Sequence, residues 1–227
     1  IQAIGIMIGQ GCASQTSRLL GAKNYVRANA LASSGLFLSL VFSAVFAVFA
    51  IIGLESLLRA MGATATILPY AEDYASIILL AAPFMAASYT LNNLLRSEGL
   101  AIVGMMGLGF GGVLNIAVCP IFIFVFDWGI RGAACATALC QMISFVILLS
   151  HYLRGKGSMK MHWAFISKEF SLYGSIFKNG LPSLTRNSLG AVAASVLNLM
   201  AGRYGDAGVA AMSIVGQVMM ITNAFLI

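Results

Sequence analysis

Charged residues divide this chain into long uncharged stretches, and that division constrains its fold more than any motif does. Its 227 residues include thirteen Lys or Arg and seven Asp or Glu. Between these charges lie uncharged stretches at 1–17, 28–54, 74–95, 99–126, 132–153, 187–202 and 207–227. A helix needs about 20 apolar residues to cross roughly 30 Å of hydrocarbon. Four of the five interior stretches reach that length, and 187–202 reaches it if its helix begins near Asn179 and includes Arg186. With 60% apolar residues, 9% charged residues and a mean hydropathy of +0.93, most of the surface must face lipid. A soluble chain carries roughly a quarter charged residues. The runs lack two-residue alternation and are rich in Ala, Leu, Met and Gly, so barrel strands are a poor alternative. Within lipid every backbone N–H and C=O must find an internal partner, which turns long apolar runs into helices. The expectation is an all-α, polytopic bundle of about seven membrane helices. The chain opens at Ile1 without a basic leader and both its ends fall within apolar stretches, so it reads as a segment of something longer.

The connecting segments alternate in charge. One side carries Arg18, Lys23, Arg27, Arg96, Arg154, Lys156, Lys160, Lys168 and Lys178. The other carries Arg59, Arg131 and Arg203 beside Glu55, Glu72, Asp73, Asp127 and Asp206. The positive-inside rule places the basic side, with its loops at 18–27, Arg96 and 154–178, in the cytoplasm. The same asymmetry accounts for the net charge of +6. No helix carries a basic stripe, so nucleic acid is not an expected partner, whereas membrane lipid is.

The inventory of reactive side chains argues against an enzyme. Cys12, Cys119, Cys135 and Cys140 fall inside the expected helices without CxxC spacing, which disfavours a zinc site or disulfide framework. Cys12, Cys135 and Cys140 read as small packing residues. His151 at a helix end and His162 in a loop have no carboxylate cluster beside them in sequence. The run Gly107-Leu108-Gly109-Phe110-Gly111-Gly112 follows no strand and falls mid-membrane, so it reads as a helix-packing surface rather than a phosphate loop. Gly5 and Gly9, one turn apart, suggest another close helix approach.

Polar residues inside the membrane are costly unless partnered, and they mark candidate sites. Asn115 and Cys119 are one turn apart on the helix that ends at Pro120, and Thr137, Gln141 and Ser144 share a face of the next. Pro120 cannot donate a backbone hydrogen bond and frees a carbonyl near Ile116. Antiparallel pairing of the two helices would bring Asn115, Cys119, Thr137 and Gln141 to a common polar pocket, although interhelical hydrogen bonding as packing glue would place them equally well.

Several segments, taken in order, resemble the multidrug and toxic compound extrusion (MATE) family in its bacterial branch. They are Ser17-Arg18-Leu19-Leu20-Gly21-Ala22-Lys23-Asn24, Asn93-Leu94-Leu95-Arg96-Ser97-Glu98-Gly99, Leu114-Asn115-Ile116 through Pro120-Ile121-Phe122-Ile123-Phe124, Trp128-Gly129-Ile130-Arg131-Gly132-Ala133-Ala134, Ala136-Thr137-Ala138 before Gln141, and Gly180-Leu181-Pro182-Ser183. The resemblance implies a twelve-helix, two-lobed transporter that the chain enters within helix 2 and leaves within helix 8. Residues 1–153 would form most of the N-terminal lobe, 154–178 a cytoplasmic inter-lobe linker, and 179–227 the start of the second lobe. It implies export of small organic, often cationic, drugs or toxic metabolites across the bacterial plasma membrane by a monomer, coupled to inward flow of Na⁺ or H⁺ with no other cofactor. Asn115 and Thr137 match two of the family's coupling-ion positions and would be its Na⁺ ligands. Cys119 stands where ion-coupled relatives carry an Asp, which puts Na⁺ affinity in question. Asn93, Arg186 and Asn198 are the candidates for the substrate cavity. A lipid-linked saccharide flippase of related fold, and a channel or non-transporting membrane subunit, are the alternatives.

Overall fold

The computed structural model describes residues 2–60, 68–155 and 170–202, with isolated positions between 157 and 165 and between 212 and 219. Every element among them is helical. In chain order they are α1 (Gln2–Gly21), α2 (Tyr25–Ile52), the short α3 (Leu54–Ala60), α4 (Leu68–Ser97), α5 (Ala101–Pro120), α6 (Gly129–Leu153) and α7 (Phe170–Gly202). A π-helical turn, Ile121–Val125, prolongs α5. Pro120 supplies no N–H to the carbonyl of Ile116, and the chain widens by one residue per turn immediately after it.

Four helices are long and apolar enough to cross a membrane: Tyr25–Ile52, Leu68–Ser97, Ala101–Val125 and Gly129–Leu153. These match the four long uncharged interior stretches. α1 and α7 are as long as a span but dilute their apolar residues with Gln2, Gln10, Gln15, Ser183, Thr185, Arg186 and Asn187. The seventh expected segment, 207–227, lies outside the described residues except for a few positions. α7 departs from expectation at its start. It begins at Phe170 rather than near Asn179, so Lys178 stands on the helix and not in a linker.

Turns follow local chemistry. Asn24 caps α2 by accepting a hydrogen bond from the Arg27 backbone N–H at 3.2 Å. Lys23 before it takes φ +56°, which closes the α1–α2 turn on the basic side. α3, which the uncharged stretches do not reveal, is one short amphipathic piece held by an i,i+4 pair, Glu55–Arg59 at 2.7 Å.

The two central helices are α1 and α4. α1 packs against α2, α4 and α7, while α4 packs against α1, α2, α5 and α6. The main core lies toward the basic end, where Ile8, Leu31, Leu94, Leu95, Leu148, Tyr152 and Ile176 are buried together. A smaller cluster of Ala47, Leu79 and Ala82 fills the other end. Outward-facing side chains such as Phe49, Ile116, Val146 and Phe124 are large and apolar, and Met105 and Met106 join them. A lipid solvent makes that exposure favourable.

Glycine sets how closely the helices approach. The buried residues of α5 are three glycines one turn apart: Gly104, Gly107 and Gly111. They lie respectively against Asn92 of α4, Leu148 of α6, and Ser144 with the Cys140 carbonyl of α6. Gly109 and Gly112 of the same run face open space. A methyl group at Gly5 would stand 2.7 Å from the Ala86 carbonyl oxygen, which places α1 directly on the backbone of α4. Small residues of this kind allow the backbone contact through which membrane helices associate.

Candidate functional site

α5 and α6 run antiparallel with their glycine seam as the contact line, and this places Asn115 opposite Thr137. Asn115 Nδ2 donates to Thr137 Oγ1 at 3.4 Å, and Thr137 Oγ1 donates in turn to the Ala133 carbonyl at 2.9 Å. Both side chains are half-buried. The first bond is longer than the usual 2.9–3.0 Å, so the amide is held weakly and can turn. The expected pairing across the two helices is therefore present.

The other two members of the expected pocket sit differently. Gln141, one turn along the same face of α6, has its Oε1 buried without a hydrogen-bond partner among the described residues. Cys119 is half-buried and makes no described hydrogen bond, so the structure places it near the pair without tying it in. The residue that sequence reasoning missed is Cys140. Read there as a packing residue, it interacts with the Asn115 side chain. It stands three residues beyond Thr137 on the same helical face, and that spacing is the signal that would have found it. Cys12 does behave as a packing residue, buried against Gly35 of α2.

At the less basic end, the α5–α6 turn gathers Phe122, Phe126 and Trp128, with ring centroids 5.5–5.7 Å apart. Arg131 Nη2 reaches Asp73 Oδ1 at 2.8 Å and ties α6 to α4. A cavity of about 470 Å³ opens here, lined by Ile77, Asp127, Trp128, Arg131 and Cys135. Two residues along a helix turn it by about 200°, so Cys135 in this cavity and Thr137 in the amide–hydroxyl pair address different neighbours.

Two of the candidate substrate-cavity residues, Asn93 on α4 and Arg186 on α7, are described with their side chains. Asn93 Nδ2 donates to the Tyr89 carbonyl at 2.8 Å and lies beside Gly9, on the seam between α1 and α4. Arg186 is exposed on α7. Asn198 is on α7, and its side chain lies outside the described residues. The structure instead reveals a polar seam along α1 that the sequence reading did not anticipate. Gln2 donates to the Tyr89 hydroxyl on α4, Ser183 of α7 donates to Gln10, and Ser175 of α7 donates to Gln15 at 3.2 Å. Thr90 Oγ1 of α4 adds a contact to the Gly5 carbonyl at 3.3 Å. Among the described residues no group of three or more His, Cys, Asp or Glu side chains could hold a metal ion.

Long apolar helices, glycine-mediated backbone contact and an intramembrane amide–hydroxyl pair define a multi-pass helical membrane protein. The MatE family model matches residues 1–121, more than half of the chain, and the chain belongs to that family. It is 29% identical to the multidrug export protein MepA of Staphylococcus saprophyticus over 94% of its own length and 48% of MepA's. MepA of Staphylococcus haemolyticus is 28% identical over 94% of this chain and 47% of its own. The chain thus spans about half the length of the curated relatives it matches. Among solved structures, the inward-facing conformation of a multidrug resistance MATE family transporter of the MOP superfamily matches with a TM-score of 0.87 and 27% identity, over 97% of this chain and 50% of that one. The outward-facing conformation of a multidrug resistance MATE family transporter matches with 0.85 and 28%, over 96% and 49%.

Proposed function

We propose that the full-length protein is a cation-coupled antiporter that exports small organic compounds, cationic drugs among them, across the bacterial plasma membrane. Its basic loops face the cytoplasm, and it works as a monomer. Family membership and the printed names of the relatives support the export reading. The observation that carries the coupling is the Asn115–Thr137 pair between α5 and α6. An amide oxygen, a hydroxyl and an adjacent backbone carbonyl, that of Ala133, are the hard oxygen donors that Na⁺ prefers. Because Asn115 is weakly held, it can turn its oxygen inward when a cation arrives. Gln141, with its Oε1 unpartnered, is the nearest additional donor along the same face.

Among the described residues these side chains include no carboxylate, and the membrane potential would help draw the ion in. One elementary charge crossing 100 mV supplies about 2.3 kcal/mol, enough to bias two lobes between outward-open and inward-open arrangements. Cells expressing the full-length protein should accumulate less ethidium than cells without it, and the difference should vanish when the cation gradient is collapsed. Asn115→Ala and Thr137→Ala should each reduce that ion dependence with expression intact. Equal dye accumulation with and without the protein would overturn the export reading. Efflux with wild-type ion dependence in both variants would return the pair to a packing role.

A further inference from the structure

The cavity of about 470 Å³ at the less basic end shares no residue with the Asn115–Thr137 pair, and the coupling chemistry makes no use of it. Its walls come from α4, α6 and the turn that precedes α6. Ile77 stands four residues beyond Asp73 on α4, and Cys135 four beyond Arg131 on α6. Because Arg131 and Asp73 are joined at 2.8 Å, the walls at Ile77 and Cys135 lie about 6 Å further along their helices. A volume of this size falls within the range that holds a small organic molecule.

Two neighbouring side chains give the cavity its chemical character. The Arg131 guanidinium is paired with Asp73, whereas the Asp127 carboxylate has no ion pair or hydrogen bond among the described residues. The lining therefore carries one uncompensated negative charge. Trp128 lines the cavity beside it and is 53% exposed. Its ring packs on Phe122 and Phe126, with centroids 5.6 and 5.7 Å away. An indole face attracts a cation through its quadrupole, and a carboxylate attracts it through its charge. Asp127 takes φ +54°, a left-handed conformation that Asp and Asn adopt more readily than other side chains with a Cβ. A neutral ligand would leave this carboxylate unpaired, and an anion would be repelled by it.

We infer that this cavity binds an organic nitrogen cation, with Asp127 as its counter-ion, Trp128 as its aromatic platform and Ile77 as an apolar wall. A dissolved aromatic cation and the ammonium of a phosphatidylethanolamine headgroup share that chemistry. The inference rests on the cavity alone, so failure of the export or coupling reading would leave it standing.

Cys135 supplies a local readout, since it lines the cavity itself. The test uses the full-length protein in phosphatidylglycerol nanodiscs, with every cysteine except Cys135 changed to serine, and N-ethylmaleimide as a neutral label. Saturating ethidium should slow labelling of Cys135 at least threefold. Each variant is compared with itself without ethidium. Asp127→Asn keeps a residue suited to the turn and should raise the half-protecting concentration roughly tenfold. Trp128→Leu should raise it severalfold. Glu55→Gln removes an acid from the same end outside the cavity, and should leave the half-protecting concentration within about twofold. Unslowed labelling in ethidium would overturn the proposal. Protection as strong in Asp127→Asn as in the parent would also overturn it, since binding elsewhere would then be closing the site. Phosphatidylethanolamine nanodiscs without ethidium distinguish the two sources. Slower labelling there, relieved by Asp127→Asn, assigns the site to the headgroup; equal labelling in both lipids assigns it to the dissolved cation.

Discussion

Cys119 concentrates the question of coupling in one side chain. It is one turn from Asn115 on α5, where the family resemblance implies an Asp in ion-coupled relatives, and sulfur is a softer donor than oxygen. Cys119→Asp would place a carboxylate beside Asn115 and Thr137. Without a cation, desolvation would favour the protonated acid there; a bound Na⁺ would favour the ionised one. The variant should therefore show a half-saturating Na⁺ concentration for efflux lowered by roughly tenfold, equivalent to about 1.4 kcal/mol. An unchanged Na⁺ dependence would separate this pocket from the coupling site. The position itself was readable from the sequence, because a polar residue one turn from Asn115 in an apolar helix stands out. Cys140 was missed, since a cysteine within an apolar run looks like packing and only its three-residue spacing from Thr137 pointed to the same face.

Between helices, glycine position decides register and therefore the site. Gly111 lies against Ser144 and the Cys140 carbonyl, one turn from Asn115. Gly111→Val would force α5 away from α6, costing about 1–3 kcal/mol by overpacking and lengthening an Asn115–Thr137 contact that is already long. Gly109→Ala in the same run meets nothing within 4 Å and should be neutral or stabilising, by up to about 1 kcal/mol from helix propensity. Thermal unfolding of the two purified full-length variants checks the contrast; equal losses would mean the glycine run acts through backbone flexibility instead of contact. This level shows what the sequence could and could not convey. Lipid imposes a span length and internal hydrogen bonding, so α2, α4, α5 and α6 were legible from charge-free stretches alone. α1 and α7 were visible as segments, but the partners of their glutamines and serines were not. Those contacts depend on which helix faces meet, and a face-to-face contact leaves no periodic trace in either helix by itself. The start of α7 at Phe170 was missed for a related reason: the segment before Asn179 carries Lys178 and polar residues whose helical state depends on packing against α1.

At the scale of the whole molecule, charge asymmetry and core placement fall at the same end. The buried core lies with the basic loops, whereas the acidic turns at Glu55 and Asp127 lie at the other end. Lysine and arginine near span ends resist translocation, so this distribution supports the proposed orientation with the basic loops in the cytoplasm. An orientation with the basic loops outside would sever the proposed direction of ion flow from the membrane potential. Cysteines introduced one at a time at Lys23, Glu55 and Asp127, in full-length protein with its native cysteines changed to serine, decide it. In intact cells a membrane-impermeant maleimide should label Glu55→Cys and Asp127→Cys but spare Lys23→Cys, and permeabilisation should bring Lys23→Cys to comparable labelling. Labelling of Lys23→Cys alone in intact cells would invert the topology. Labelling of all three there would mean that 18–27 and the α5–α6 turn share a side, which the three intervening helices α2, α4 and α5 do not allow if each crosses the membrane once.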